Sequence, residues 1–211
     1  MTENPGGSLK IVELRQYTLR PGRRDELIEL FEREFVESQE ESGIRLLGLF
    51  RDLDRPDKFV WLRGFPDMAS RTESLAAFYE RHPAWKRHGP AANATMVDSD
   101  DVLLLRPVTG DLEGAPPAGE KDGVIGLTVR GFRDAGELSA QVRAFTPRTG
   151  SQHGTPLATL RTEPAANSYP RLPVREREHV FVHLVRHADE AACRAQSPTL
   201  VLAPTERSRM R

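Results

Sequence analysis

Asp57-Lys-Phe-Val-Trp-Leu-Arg-Gly-Phe-Pro-Asp67 lies over His179-Val-Phe-Val-His-Leu-Val-Arg-His-Ala-Asp189 without a gap. Phe59/Phe181, Val60/Val182, Leu62/Leu184 and Asp67/Asp189 are identical in the two stretches. The matches continue outward in the same chain order. Gly43, Leu46 and Leu49 match Gly154, Leu157 and Leu160, while Leu103, Leu105 and Pro107 match Leu200, Leu202 and Pro204. Matches in the same order at three separate strand-like segments indicate an internal repeat.

Between the repeats runs Pro107–Asp122, rich in Pro and Gly and without apolar periodicity, which reads as a linker. It divides the chain into a first domain, residues 8–108, a linker, 109–121, and a second domain, 122–211. The first begins with strand-like Ile11–Leu19. Pro21-Gly22 then introduces a helix whose Leu27, Ile28, Leu30, Phe31 and Phe35 share one face, and Ser42-Gly43 stops it. Strands at Arg45–Arg51 and Lys58–Phe65 follow, then a helix in the Asp67–Arg81 region, a short helical turn around Pro83–Arg87 and a strand at Asp101–Arg106. The second half repeats this with strands at Gly123–Gly131, Thr155–Arg161 and around Val180–Val182. It has a shorter helix at Ala135–Phe145 and only one or two helical turns at Asp189–Gln196. In compensation it carries a long segment, Thr162–Glu178, with three prolines that limit backbone freedom and prevent regular helix. We expect this segment to be an ordered cover over one end of the barrel; a space-filling role beside the shortened helix is the alternative.

The order βαββαβ is the split βαβ, ferredoxin-like arrangement. The fold class expected is therefore α+β, with tandem ferredoxin-like domains packing their sheets face to face in a dimeric α/β-barrel-type architecture.

Composition narrows the function classes. Lys and Arg number 30 against 31 Asp and Glu, so there is no basic footprint for nucleic acid. The longest apolar runs are strand-sized, no membrane crossing is expected, and the N-terminus lacks signal or transit character, which points to the cytoplasm. One cysteine, Cys193, excludes an intrachain disulfide and reads as a small buried hydrophobe. No glycine-rich phosphate loop, nucleophile elbow or H-E-x-x-H motif is present. His179, His183 and His187 share one strand face, with neighbours about 13 Å apart at ~3.3 Å per residue, too far for a common metal. His82 and His88 lack the spacing that presents two ligands from one helical face. Neither metal nor cofactor is expected.

Alternation along the strands separates two sets of side chains. The plain aliphatic set, Val12/Leu14, Val60/Leu62, Ile125/Leu127/Val129 and Val180/Val182/Leu184, suits packing under helices. That assigns Glu13, Arg15, Tyr17, Phe59, Trp61, Arg63, Thr128, Arg130, Phe181 and His183 to the barrel face, a mixture of apolar walls and a few polar groups suited to a small molecule. His183, at the repeat position of Trp61, is the candidate general base. Arg15 and Tyr17 are the candidates to hold an oxyanion, with Arg63 and Arg130 as further cations. Phe59, Trp61, Phe181 and Thr128 complete the wall, and Asn167 and Arg171 reach it from the cover. A strand histidine is also commonly a hydrogen-bonded structural residue, and Glu13 could simply pair with a neighbouring arginine.

Glu13–Gly22, Phe59–Phe65, Ala77–Lys86 and Asn93–Met96 resemble the NIPSNAP domain of the dimeric α/β barrel superfamily, and Asn167–Arg175 resembles a segment of its two-domain bacterial members. The resemblance rests mainly on the first half. It implies a homodimer and a hydrophobic small-molecule ligand, without nucleic acid or membrane partners. The superfamily includes cofactor-free monooxygenases, cyclases, decarboxylases, haem enzymes and proteins with no known reaction. A base and cationic oxyanion partners on the barrel face without a cofactor fingerprint lead us to expect cofactor-independent oxygenation or cyclisation of an aromatic or polyketide-like secondary metabolite. Non-catalytic ligand-binding or protein-interaction modules in the same family are the alternative, and haem-binding relatives keep a single-histidine haem site open.

Overall fold

A computed structural model describes residues 8–110, 112, 123–147 and 153–211. The first half comprises β1 (Ile11–Leu19), α1 (Arg24–Glu34), α2 (Val36–Glu41), β2 (Arg45–Asp52), β3 (Lys58–Phe65), α3 (Met68–Ala76), a π-helical turn (Ala77–Arg81), α4 (Pro83–Thr95), β4 (Met96–Asp98) and β5 (Val102–Gly110). The second comprises β6 (Val124–Gly131), α5 (Ala135–Ala144), β7 (Thr155–Thr162), β8 (Val180–His187), α6 (Glu190–Arg194) and β9 (Leu200–Pro204). Most of the expected linker lies outside the described residues, and β5 continues two residues into it.

The local signals have identifiable causes. Asp67, Asp134 and Asp189 cap α3, α5 and α6 by accepting hydrogen bonds from backbone N–H groups of the first turn. Asp67 and Asp189 are thus matched across the repeat because each ends a strand and starts a helix. Gly43 and Gly154, the matched glycines, both have positive φ, 85° and 78°, which a side chain would strain.

Every strand pairing is antiparallel. Neighbours run β3-β2-β9-β6-β8-β7-β5-β1, and β1 pairs with β3 to close an eight-stranded barrel, with β4 attached outside it to β1. Strands β2–β9 and β5–β7 form the two seams between the halves. Closure leaves no unpaired barrel edge.

The faces are the reverse of the sequence expectation. Val12, Leu14, Val60, Leu62, Ile125, Leu127, Val182 and Leu184 join aliphatic residues of the other barrel strands in one buried cluster that contains no residue of any helix. This cluster fills the barrel. Tyr17, Phe59 and Trp61 instead pack against Leu27, Phe31, Phe35 and Phe78 of the helices. A closed barrel of eight strands has an interior just wide enough for side chains to fill, and aliphatic groups of moderate size fit it. Tryptophan and arginine do not, so the aromatic and charged set lies outside, beneath the helices. Cys193 is buried as expected, and burial pushes its thiol up to about 11.

Two substitutions test the interior. Leu62→Ala should lower unfolding free energy by about 2–5 kcal/mol through cavity formation. Val182→Phe should cost about 1–3 kcal/mol by overpacking. Urea denaturation of both variants reads these changes directly.

Candidate functional site

Between the outer face of the first-half sheet and its helices lies a cleft of about 340 Å³. Its floor is Arg15, Tyr17 and Trp61 from adjacent β1 and β3, with Arg15 paired opposite Trp61. Phe31 and Phe35 of α1 and its end, with Phe78, Tyr79 and Trp85, form the walls. The rim carries Asn93, Ser99 and Asp100, and Arg171, Leu172 and Pro173 close it from the second half. The aromatic walls pack edge to face: Phe31 and Trp61 have ring centroids 4.9 Å apart, and Tyr79 and Trp85 4.7 Å.

Beneath this floor lies a charge cluster. The Glu13 carboxylate, with no solvent exposure, accepts from Arg15 Nη1, Arg63 Nε and Arg71 Nε, each at 2.7 Å. Burial works to raise its pKa, but Arg63, Arg15 and Arg71 together outweigh that and hold the group well below the usual carboxylate range. Arg15 Nε donates to Tyr17 Oη at 3.0 Å, and Arg63 Nη1 donates to Tyr79 Oη at 3.1 Å. The guanidinium groups of Arg15 and Arg63 also lie 5.6 and 5.1 Å from the Trp61 ring. Burial raises the Tyr17 phenol above its ordinary value, so near neutrality it keeps its proton and can donate a hydrogen bond.

The Thr162–Glu178 segment crosses onto the first half rather than capping an end of the barrel. Arg71 Nη1 donates to Asn167 Oδ1 at 3.0 Å and to Ser168 Oγ at 3.2 Å. Tyr169, buried in the first-half core, donates to Glu80 at 2.9 Å, and Arg171 pairs with the same carboxylate at 2.9 Å. The segment therefore covers the helix-side cleft.

The candidate residues separate into two groups. Arg15, Tyr17, Trp61 and Arg171 line the cleft, while Phe59 and Arg63 stand beside it and Asn167 anchors its cover. His183, Phe181, Thr128 and Arg130 lie on β8 and β6 of the other half and do not line it. His183 pairs with Thr128 and Thr159 and meets the Phe145 ring at 5.0 Å. Burial first, then His187, lowers its pKa. The expected meeting of His183 with Arg15 across a barrel lumen is corrected: both side chains point away from that lumen. Sequence reasoning missed Phe31, Phe35, Phe78, Trp85 and Gln39 as cleft residues; the helical spacing of Phe31 and Phe35 reads as ordinary core. It also missed Arg71, a helix arginine with no exposure. Among the described residues no group of three or more His, Cys, Asp or Glu could hold a metal, and no helix is long and apolar enough to cross a membrane.

The fold and cleft define a mixed α/β protein with a closed antiparallel barrel and a roofed aromatic site outside it. Residues 12–109 match the NIPSNAP family model. A search of curated proteins finds no match. A NIPSNAP-like domain protein from Burkholderia xenovorans is 29% identical over 51% of this chain and 89% of its own, with a TM-score of 0.44. A NIPSNAP family protein from Agrobacterium tumefaciens is 23% identical over 46% of this chain and 91% of its own, with a TM-score of 0.43. A candidate monooxygenase from Lactobacillus acidophilus shares the fold across both halves, covering 91% of this chain and 83% of its own at a TM-score of 0.55 and 14% identity.

Glu13→Gln tests the cluster. Without the carboxylate the three guanidinium groups lose their common partner, and stability should fall by about 3–5 kcal/mol. The pH dependence has a defined sign. Because the folded pKa is depressed, the wild-type contribution is complete above the unfolded value near ~4.3 and is lost as pH falls below it toward the folded value. Thermal melts from pH 6 to pH 3 should show a steeper acid loss in wild type than in E13Q.

Proposed function

We propose that the cleft binds a planar hydrophobic metabolite, aromatic or polyketide-like, and promotes its cofactor-independent oxygenation or cyclisation. The observation carrying this reading is the convergence of Arg15, Tyr17 and Trp61 on one floor beneath aromatic walls. Trp61 supplies a stacking surface. Arg15 and neutral Tyr17 supply hydrogen-bond donors to an oxygen that gains negative charge when the substrate enolises. His183 does not line the cleft, so in this reading the proton passes to Asp100 at the rim or to solvent. For oxygenation, a CH2 group flanked by aromatic rings takes one atom of O2 as a carbonyl oxygen, and its two hydrogens leave with the other atom as water.

The chain is further read as tandem ferredoxin-like units, residues 8–108 and 122–211, associating as a homodimer in the cytoplasm. Strand orders β5-β1-β3-β2 and β9-β6-β8-β7 support the tandem reading.

A second reading, ligand binding without chemistry, is favoured by the same displacement of His183 from the cleft. An oxygen electrode with an enolisable tricyclic aromatic ketone separates the two. Catalysis predicts accelerated oxygen uptake, reduced about 10²-fold in kcat by Arg15→Gln and retained in His183→Ala. Quenching of tryptophan fluorescence by the ketone without accelerated uptake would instead establish binding alone.

A further inference from the structure

Resting on the cleft reading above, we infer that its ligand is an acid bound as the anion, an aromatic carboxylate or an equally acidic phenol or enol, with the charged oxygen at Arg15 and Trp61. The inference comes from charge and donor accounting in the buried floor. Arg15, Arg63 and Arg71 are each at most 1% exposed, and all three bond to the single carboxylate of Glu13. Three guanidinium groups against one carboxylate leave two positive charges without a buried counter-charge. The remaining partners, Tyr17, Tyr79, Gln39, Asn167 and Ser168, are neutral oxygen groups.

The donor count points the same way and locates the vacancy. Arg15 uses Nε on Tyr17 and Nη1 on Glu13, while its Nη2 has no acceptor among the described residues. Trp61 Nε1 is buried without a hydrogen-bond partner, as are Arg63 Nη2 and Arg71 Nη2, and of these three residues Trp61 is the one that lines the cleft. Arg15 lines it too, and the Arg15 guanidinium lies 5.6 Å from the Trp61 ring. A buried donor without an acceptor, as at Trp61, is costly, and one anionic oxygen group at this corner satisfies it together with the spare Arg15 Nη2 while neutralising excess charge. The aromatic walls then take the apolar body. Asp100, the carboxylate of the cleft, is at the exposed rim, and Arg171 beside it is paired with Glu80, so the charge asymmetry of the floor persists.

An isosteric pair of probes tests this, 2-naphthoate against 2-naphthamide, which share the ring system and differ in charge. The chain has two tryptophans, Trp61 and Trp85, and both line the cleft, so intrinsic fluorescence reports on this site. We expect naphthoate to bind wild-type protein at least about tenfold more tightly than naphthamide. Arg15→Gln should bring that ratio close to one, mainly by weakening naphthoate. Trp61→Phe, which removes the indole donor together with part of the ring surface and leaves Trp85 as reporter, should weaken naphthoate by about threefold or more beyond its effect on naphthamide. Equal or tighter binding of naphthamide to wild type overturns the anion inference and leaves the aromatic cleft reading standing. If neither probe quenches the tryptophans, the cleft reading fails and takes the inference with it. The wild-type comparison decides the question even if Arg15→Gln does not fold.

Discussion

The Glu13 carboxylate joins elements that the chain order keeps far apart. Arg15 belongs to the same strand, but Arg63 comes from β3, Arg71 from α3, and Arg71 carries the connection on to Asn167 and Ser168 of the second half. Bringing four charged groups out of water is expensive, and an apolar cluster of equal volume would often be as stable or more so. The network instead fixes position. It sets the tilt of α3 over the sheet, the register of the cover above α3, and the direction in which the Arg15 guanidinium meets the cleft. Any ligand group that contacts Arg15 is therefore two hydrogen bonds removed from Arg71, and three from the cover.

Much of this fold was legible in the sequence, and the reason is local. Strand alternation, the Asp caps and the positive-φ glycines are each decided within a few residues, so the element order and the repeat followed from them. The π-helical turn at Ala77–Arg81 and the extension of α4 to Thr95 through Pro90 were not legible. Proline normally interrupts a helix, and here packing of α4 against α1 and the π-helical turn overrides that preference. The short strand β4 is likewise decided by its neighbour β1 rather than by its own composition.

The shared strand face was legible and its orientation was not. Period-two alternation states which residues share a face, and it grouped Arg15, Tyr17, Trp61 and Arg63 correctly. It does not state which face is inside. That is settled by volume: a closed eight-stranded barrel admits the aliphatic set, and amphipathic helices with Phe31, Phe35 and Phe78 on their buried faces require aromatic partners. The helix residues were the missing signal, since their large aromatic faces need a comparably large surface to cover. His183 was misplaced for the same reason. Its strand position relative to Trp61 was right, but the two halves turn these positions outward on different sides of the barrel.

This arrangement gives the identities between the halves a physical meaning. Val60/Val182 and Leu62/Leu184 point into the barrel, where both halves fill one shared volume and a change in either disturbs the other. Trp61/His183 and Arg63/Val185 point outward, where each half has its own helices and its own neighbours. The first half roofs its outer face with α1, α3, the π-helical turn, α4 and the crossing segment, and there the exterior becomes an aromatic cleft. In the second half the corresponding helices are α5, of 10 residues, and α6, of 5, and the segment between β7 and β8 is drawn across to Arg71 and Glu80. The shared interior thus couples the two halves, while the outer face of the first half forms the cleft and the second half supplies its cover.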